Sequence, residues 1–160
     1  MNVGFLHPGL MGETLAANCS AATLWVSAGR SNETRSRAES HGMAEVASLA
    51  ELATTADAIV SICPPNAAVE LATQVAATGF SGLYVDANAI SSSTARQIGE
   101  MFDDFVDGSL IGPPAHNPGT TRMYLSGLRA SEVAGWYHDS ALDARVIGTD
   151  PGAASALKMA

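Results

Sequence analysis

Short apolar runs alternate with amphipathic stretches along this chain. The runs fall at Val3–Leu6, Thr23–Ser27, Ala58–Ile62, Gly82–Asp86, Phe105–Asp107, Arg122–Ser126 and Ala144–Ile147. Each has the length of a buried strand. Between them the spacing predicts helices over Gly9–Ser20, Asn32–His41, Ser48–Thr54, Asn66–Ala77, Ser91–Phe102 and Ala130–Asp139. In the first of these Met11, Leu15 and Cys19 recur at i, i+4 and i+8, one face of a helix. Ile98, Met101, Phe102 and Phe105 keep helical spacing up to the next strand. Alternation of this kind predicts an α/β fold: a doubly wound, mostly parallel sheet with helices on both faces. The segment Gly112–Gly119 is the one clear irregular loop. After the loop Gly148–Gly152, residues Ala153–Ala160 begin a helix that has no C-terminal cap. The expected organisation is one domain over residues 1–150, with 151–160 opening the helix that leads into a further, helical domain.

Composition narrows the function classes. At 160 residues the chain has the size of one domain with a real core, and its 47% apolar content and 15 glycines suit a glycine-punctuated α/β protein. A net charge of −8 argues against a nucleic-acid surface, which needs a basic stripe. Cys19 and Cys63 both lie in apolar stretches, as in a reducing cytosol, so the expected location is cytoplasmic. His7, His41, His116 and His138 are scattered without metal-ligand spacing, and no metal site is expected. No apolar run approaches the roughly 18 residues that would span a bilayer.

The first apolar run leads into His7-Pro8-Gly9-Leu10-Met11-Gly12. A strand, a glycine turn and a helix N-terminus together make an anion site, because free N–H groups and the helix dipole favour a pyrophosphate. The usual fingerprint is G-x-G-x-x-G, and here His7 replaces its first glycine. The strand Leu24–Ser27 ends in Ala28-Gly29-Arg30-Ser31. NAD-selective Rossmann units carry a carboxylate at about this distance, roughly 20 residues on, to bind the ribose 2′-hydroxyl. Arg30 in its place suits a 2′-phosphate, with Ser31 adding a hydroxyl, and so favours NADP. The alternative is a solvated arginine at a helix start. The strand after Asp57 runs into Cys63-Pro64-Pro65-Asn66, where Asn66 is expected to cap the next helix. That turn either borders the dinucleotide crevice or simply ends the strand. Asn88 and Ser91 follow Tyr84–Asp86 and suit either a nicotinamide or substrate contact or a helix cap.

Taken in order, Gly4 to Gly12 with Met11, Arg30-Ser31, Cys63-Pro64, Asp86–Arg96, Phe105-Val106-Asp107 and Gly152–Lys158 resemble the β-hydroxyacid dehydrogenases. That family includes 6-phosphogluconate, 3-hydroxyisobutyrate and tartronate semialdehyde enzymes. The resemblance covers essentially the whole chain and implies a Rossmann-type domain of an NADP-dependent oxidoreductase, with NADPH preferred over NADH. It implies that His7, Pro8, Gly9, Leu10, Met11 and Gly12 cradle the pyrophosphate. Arg30 and Ser31 would hold the 2′-phosphate, and Cys63, Pro64 and Pro65 would wall the adjoining ribose. Asn88 and Ala89 stand where the family has Ser-Thr near the nicotinamide. Lys158 stands at the family's catalytic lysine, which takes the proton from a substrate hydroxyl or returns it. The family's carboxylate-binding Ser-Gly-Gly is here Ile111-Gly112-Pro113, and Ala154 replaces a glycine before the lysine. Isoleucine cannot donate a hydrogen bond, so a carbonyl or imine compound stands beside a small hydroxy acid as the implied substrate. The family also implies a homodimer through its helical C-terminal domain. The alternative function is a stand-alone dinucleotide-binding sensor or regulatory module without catalysis.

Overall fold

The computed structural model describes residues 1–160. Eight strands form a single sheet: β1 (Asn2–Phe5), β2 (Ala22–Val26), β3 (Ala44–Val46), β4 (Ala58–Ser61), β5 (Leu83–Asp86), β6 (Asp104–Ile111), β7 (Thr121–Ser126) and β8 (Leu142–Gly148). Their spatial order is β3-β2-β1-β4-β5-β6-β7-β8. Every neighbouring pair is parallel except β6 and β7. The first six strands therefore end on one edge of the sheet. The chain winds outward in both directions from β1 and β4, and the gap between them is the topological switch point of a doubly wound fold.

Seven helices cover the sheet: α1 (Leu10–Asn18), α2 (Asn32–Ser40), α3 (Leu49–Thr55), α4 (Ala68–Ala77), α5 (Ser92–Gly99), α6 (Ala130–Gly135) and α7 (Ala153–Met159). Successive strand residues point to opposite faces, so one strand feeds two cores. Val3, Phe5, Val60 and Val85 pack with Leu15 of α1, Ala38 of α2 and Val133 of α6. Leu24, Ile59 and Tyr84 pack on the other side with Leu52 of α3, Val75 of α4 and Ile98 of α5. With both faces covered, the strands must be apolar almost throughout, which is why their periodicity reads as unbroken runs.

Several expected boundaries change. Strand β3 was not foreseen: of its three residues only Val46 is buried, so this edge strand carries almost no apolar signal. The run Phe105–Asp107 lengthens into β6 because β7 pairs with Asp107–Ile111 from the far side. Helix α6 stops at Gly135 rather than Asp139, and the chain turns back at Asp139, whose φ is +57°. Helix α5 ends at Gly99, but Phe102 still stacks on Tyr84 at 4.1 Å, and Met101 and Phe105 join the same core. Asn66 does not cap a helix. It lies inside a 3-10 turn, Pro65–Ala67, and α4 begins after Ala67 with no side-chain cap.

The start of α7 is capped from the sheet. Asp107, fully buried on β6, accepts from Ser155 N at 2.8 Å and from Ser155 Oγ at 2.6 Å. Ser126 on β7 donates to Asp107 at 3.4 Å and accepts from Ala154 N at 3.0 Å. These acceptors satisfy first-turn N–H groups that no residue of α7 itself can reach. Burial pushes the Asp107 carboxyl above its usual range in spite of the donors around it. Replacing Asp107 by Ala leaves those donors buried without an acceptor. Asp107→Ala is expected to lose about 2–3 kcal/mol of stability in urea unfolding. A loss below about 0.5 kcal/mol, the range of a neutral surface change, would show that α7 is not held this way.

Candidate functional site

The carboxyl ends of β1 and β4 open a groove at the switch point. After β1 the chain bends at His7, whose carbonyl accepts from Gly9 N at 2.8 Å. Helix α1 then starts directly beside that carbonyl. A Cβ on Gly12 would lie 2.4 Å from His7 O, so only glycine permits the approach. Gly9 is the N-cap of α1 and no side chain caps the helix. A Cβ at Gly9 would meet nothing within 4 Å, so the space in front of the first-turn N–H groups is open. Free N–H groups and the positive end of a nine-residue helix therefore face an open approach, an environment that favours negative charge.

Two cavities flank this turn and share His7. One, of 350 Å³, lies between His7–Gly12 and Ile62, Cys63 and Pro64. The other, of 230 Å³, lies between His7, Arg30 and Ala67, Glu70, Leu71 and Gln74 on the α4 side. The structure thus brings together the loop, Arg30 and the Cys63-Pro64 turn, as the order of motifs in the chain led one to expect. A larger cavity, of 550 Å³, opens on the opposite edge of the sheet beside Phe102 and Arg129. Its arginines are already paired, Arg96 with Asp150 and Arg129 with Asp104, and it lies away from the helix N-terminus that would hold a phosphate.

Arg30 differs from every other arginine. The remaining six, Arg35, Arg37, Arg96, Arg122, Arg129 and Arg145, each pair with a carboxylate. Arg30 has none, and its one side-chain hydrogen bond goes to His7, Nη2 to Nε2 at 3.4 Å. The His7 ring is pushed down to about 4, first by burial and then by the Arg30 charge, so it is neutral at physiological pH and acts as the acceptor. Ser31 caps α2 by accepting from Thr34 N at 3.2 Å, and its hydroxyl stands at the same turn as Arg30.

Beyond Cys63 the polar groups point inward. Asn88 is buried, accepts from Cys63 N at 2.6 Å and donates to Ser61 Oγ at 3.0 Å and Asp86 Oδ2 at 2.9 Å. The amide so engaged ties the Cys63 turn to β4 and β5. Half-buried Ala89 follows it. Ser91 caps α5 by accepting from Thr94 N at 3.2 Å.

Lys158, the only lysine of the chain, reaches this same edge of the sheet from α7. Its Nζ donates to Leu110 O at 2.8 Å, beside Ile111, Gly112 and Pro113. The side chain of Ile111 is 44% exposed there. The loop that follows is tied to α1, because Ala115 N donates to Thr14 Oγ1 at 3.1 Å and Asn18 Nδ2 donates to Ala115 O at 3.0 Å. Sequence reading missed Thr14 and Asn18, although their i, i+4 spacing puts both on one side of α1.

No family model matches the chain, and no curated protein matches it. Its solved structural neighbours are 3-hydroxyacid dehydrogenase-like proteins and imine reductases. MTH1747, a conserved protein of unknown function with structural similarity to 3-hydroxyacid dehydrogenases, is 30% identical, with a TM-score of 0.85 over 99% of this chain and 62% of its own. The imine reductase of Myxococcus stipitatus, solved with NADP⁺, is 19% identical, with a TM-score of 0.80 over 99% of this chain and 59% of its own. The 3-hydroxyisobutyrate dehydrogenase of Mycobacterium tuberculosis is 22% identical, with a TM-score of 0.77 over 98% of this chain and 57% of its own. The chain therefore spans about three-fifths of the length of these proteins. No helix is long and apolar enough to cross a membrane.

Asp86 makes the edge of the site sensitive to pH. Burial pushes its carboxyl up to about 7, although Asn88 donates to both of its oxygens, and Asp107 across the strand pair adds like charge. The folded state therefore favours the protonated form. That stabilisation is complete below the unfolded pKa and is lost as pH rises through about 7. The thermal midpoint is expected to fall between about pH 4 and pH 7 and to level off above, and Asp86→Asn is expected to flatten that slope. An identical slope in both proteins would remove Asp86 as its source.

Proposed function

We propose that this chain is the NADP-binding domain of an oxidoreductase of the β-hydroxyacid dehydrogenase and imine reductase type. The observation that carries the cofactor choice is the unpaired Arg30 at the adenosine side of the groove, in a chain where every other arginine has a carboxylate. Arg30 is exposed at the groove, where partial desolvation by its neighbours lowers its pKa, and an anion placed there would offset that cost. The N–H groups of Leu10, Met11 and Gly12 would receive the pyrophosphate behind His7, Pro8 and Gly9. Cys63, Pro64 and Pro65 would wall the ribose, with Ala89 beyond them. When bound, the nicotinamide supplies the acceptor or donor for a hydride. Lys158 holds and moves the proton at the substrate oxygen or nitrogen, next to Ile111, Gly112 and Pro113.

Ile111 offers that region an exposed apolar side chain and no hydrogen-bond donor. This suits a small carbonyl or imine compound at least as well as a hydroxy acid. In this reading residues 1–150 form the cofactor domain, and 151–160 open the helix leading to a substrate-closing, dimer-forming domain. The working location is the cytoplasm. The 30% identity over nearly the whole chain to a protein structurally similar to 3-hydroxyacid dehydrogenases supports a cofactor domain of the oxidoreductase type.

Fluorescence titration with NADPH and NADH tests the reading. NADPH is expected to bind at least about tenfold tighter, a difference of roughly 1.4 kcal/mol. Arg30→Ala is expected to abolish that preference while leaving NADH binding within about twofold, because only the 2′-phosphate loses its partner. Equal binding of the two cofactors by the wild type, or a preference that survives Arg30→Ala, would overturn it.

A further inference from the structure

We propose that His7 is a specificity-determining residue: its imidazole holds the Arg30 guanidinium in place for the 2′-phosphate, so that NADPH is selected over NADH by a pair of residues from two different loops. The proposal rests on the NADP reading above and adds a residue to it. His7 belongs to the turn after β1 and Arg30 to the turn after β2, and the 3.4 Å contact between them is the only side-chain bond that Arg30 makes. His7 also lines both cavities, so it stands on the partition between the adenosine side and the pyrophosphate side of the groove.

The direction of the effect follows from the charge on the ring. Burial and the neighbouring guanidinium keep His7 neutral, so Nε2 accepts from Arg30 and does not repel it. A free arginine side chain samples many rotamers, and ordering it on binding costs affinity. Glu70 lines the same cavity from α4 without pairing with Arg30, so it leaves the guanidinium available to an incoming anion. Held by a neutral partner, Arg30 keeps its full charge and most of its donors for a phosphate. A carboxylate in the place of His7 would hold it as firmly and cancel its charge. A glycine at residue 7 would leave Arg30 with no side-chain partner.

Binding constants for NADPH and NADH in the wild type, His7→Ala, His7→Gln, Arg30→Ala and the His7→Ala/Arg30→Ala double variant test this. His7→Ala is expected to lower the NADPH-to-NADH preference about three- to tenfold, read as the ratio of the two binding constants so that any loss common to both cofactors through the turn cancels. His7→Gln places an acceptor near the position of Nε2 and is expected to keep the preference. In the Arg30→Ala background, removing His7 is expected to change the preference no further, since the two act as one unit. Thermal midpoints identify any variant that fails to fold, and the Gln variant then carries the comparison. Preference kept in His7→Ala but lost in Arg30→Ala overturns this proposal alone. So does an equal loss of both cofactors in His7→Ala, which would mean that the ring only shapes the turn. A wild type with no preference for NADPH overturns the parent reading and this one with it.

Discussion

Helix α1 can begin beside the carbonyl of His7 only because residue 12 has no Cβ. The rest of the groove depends on that approach. It brings the first-turn N–H groups to the mouth of β1 and leaves Gly9 with open space before them. It also lays Leu15 into the core under Phe5 and Trp25, which fixes the axis of the helix. With the axis fixed, Thr14 and Asn18 face Ala115 and draw the loop after β6 toward the same edge. One small residue thus sets the distance between the open start of α1 and the loop after β6.

Two buried carboxylates hold the remaining walls. Asp86 and Asp107 are register partners on neighbouring strands. Each is deep enough that burial outweighs its donors and raises its pKa. Asp86 organises Asn88 and, through it, the turn at Cys63. Asp107 receives the start of α7 and so determines where that helix delivers Lys158. Buried acceptors of this kind are costly unless fully engaged, and here they join elements far apart in the chain. Neither residue faces the groove, yet together they place two of its sides.

The charge pattern complements that frame. An acidic chain with eight basic residues pairs six of its seven arginines with carboxylates. The exception stands at the groove, beside a neutral imidazole. Net charge argues against a nucleic-acid surface but says nothing of a single small anion, which responds to local donors at short range.

The alternation of apolar runs determined the doubly wound sheet by itself, because strands covered on both faces must be apolar nearly throughout. Gly12 was equally legible, since the close approach of α1 to the His7 carbonyl demands a residue without a Cβ. Edge strand β3 was not legible, for a three-residue strand with one buried side chain leaves no periodicity. The place of Asn66 and the bonding of Asn88 were decided only in three dimensions: a 3-10 turn displaced the first from its cap, and the amide of the second meets Ser61, Asp86 and the Cys63 turn. Tertiary structure also decided that His7 would meet Arg30, that Asp107 would cap α7, and that Lys158 would arrive beside Ile111. Each of these contacts joins residues 23 to 48 positions apart, where local pattern carries no distance information and only the packed sheet brings the chain together.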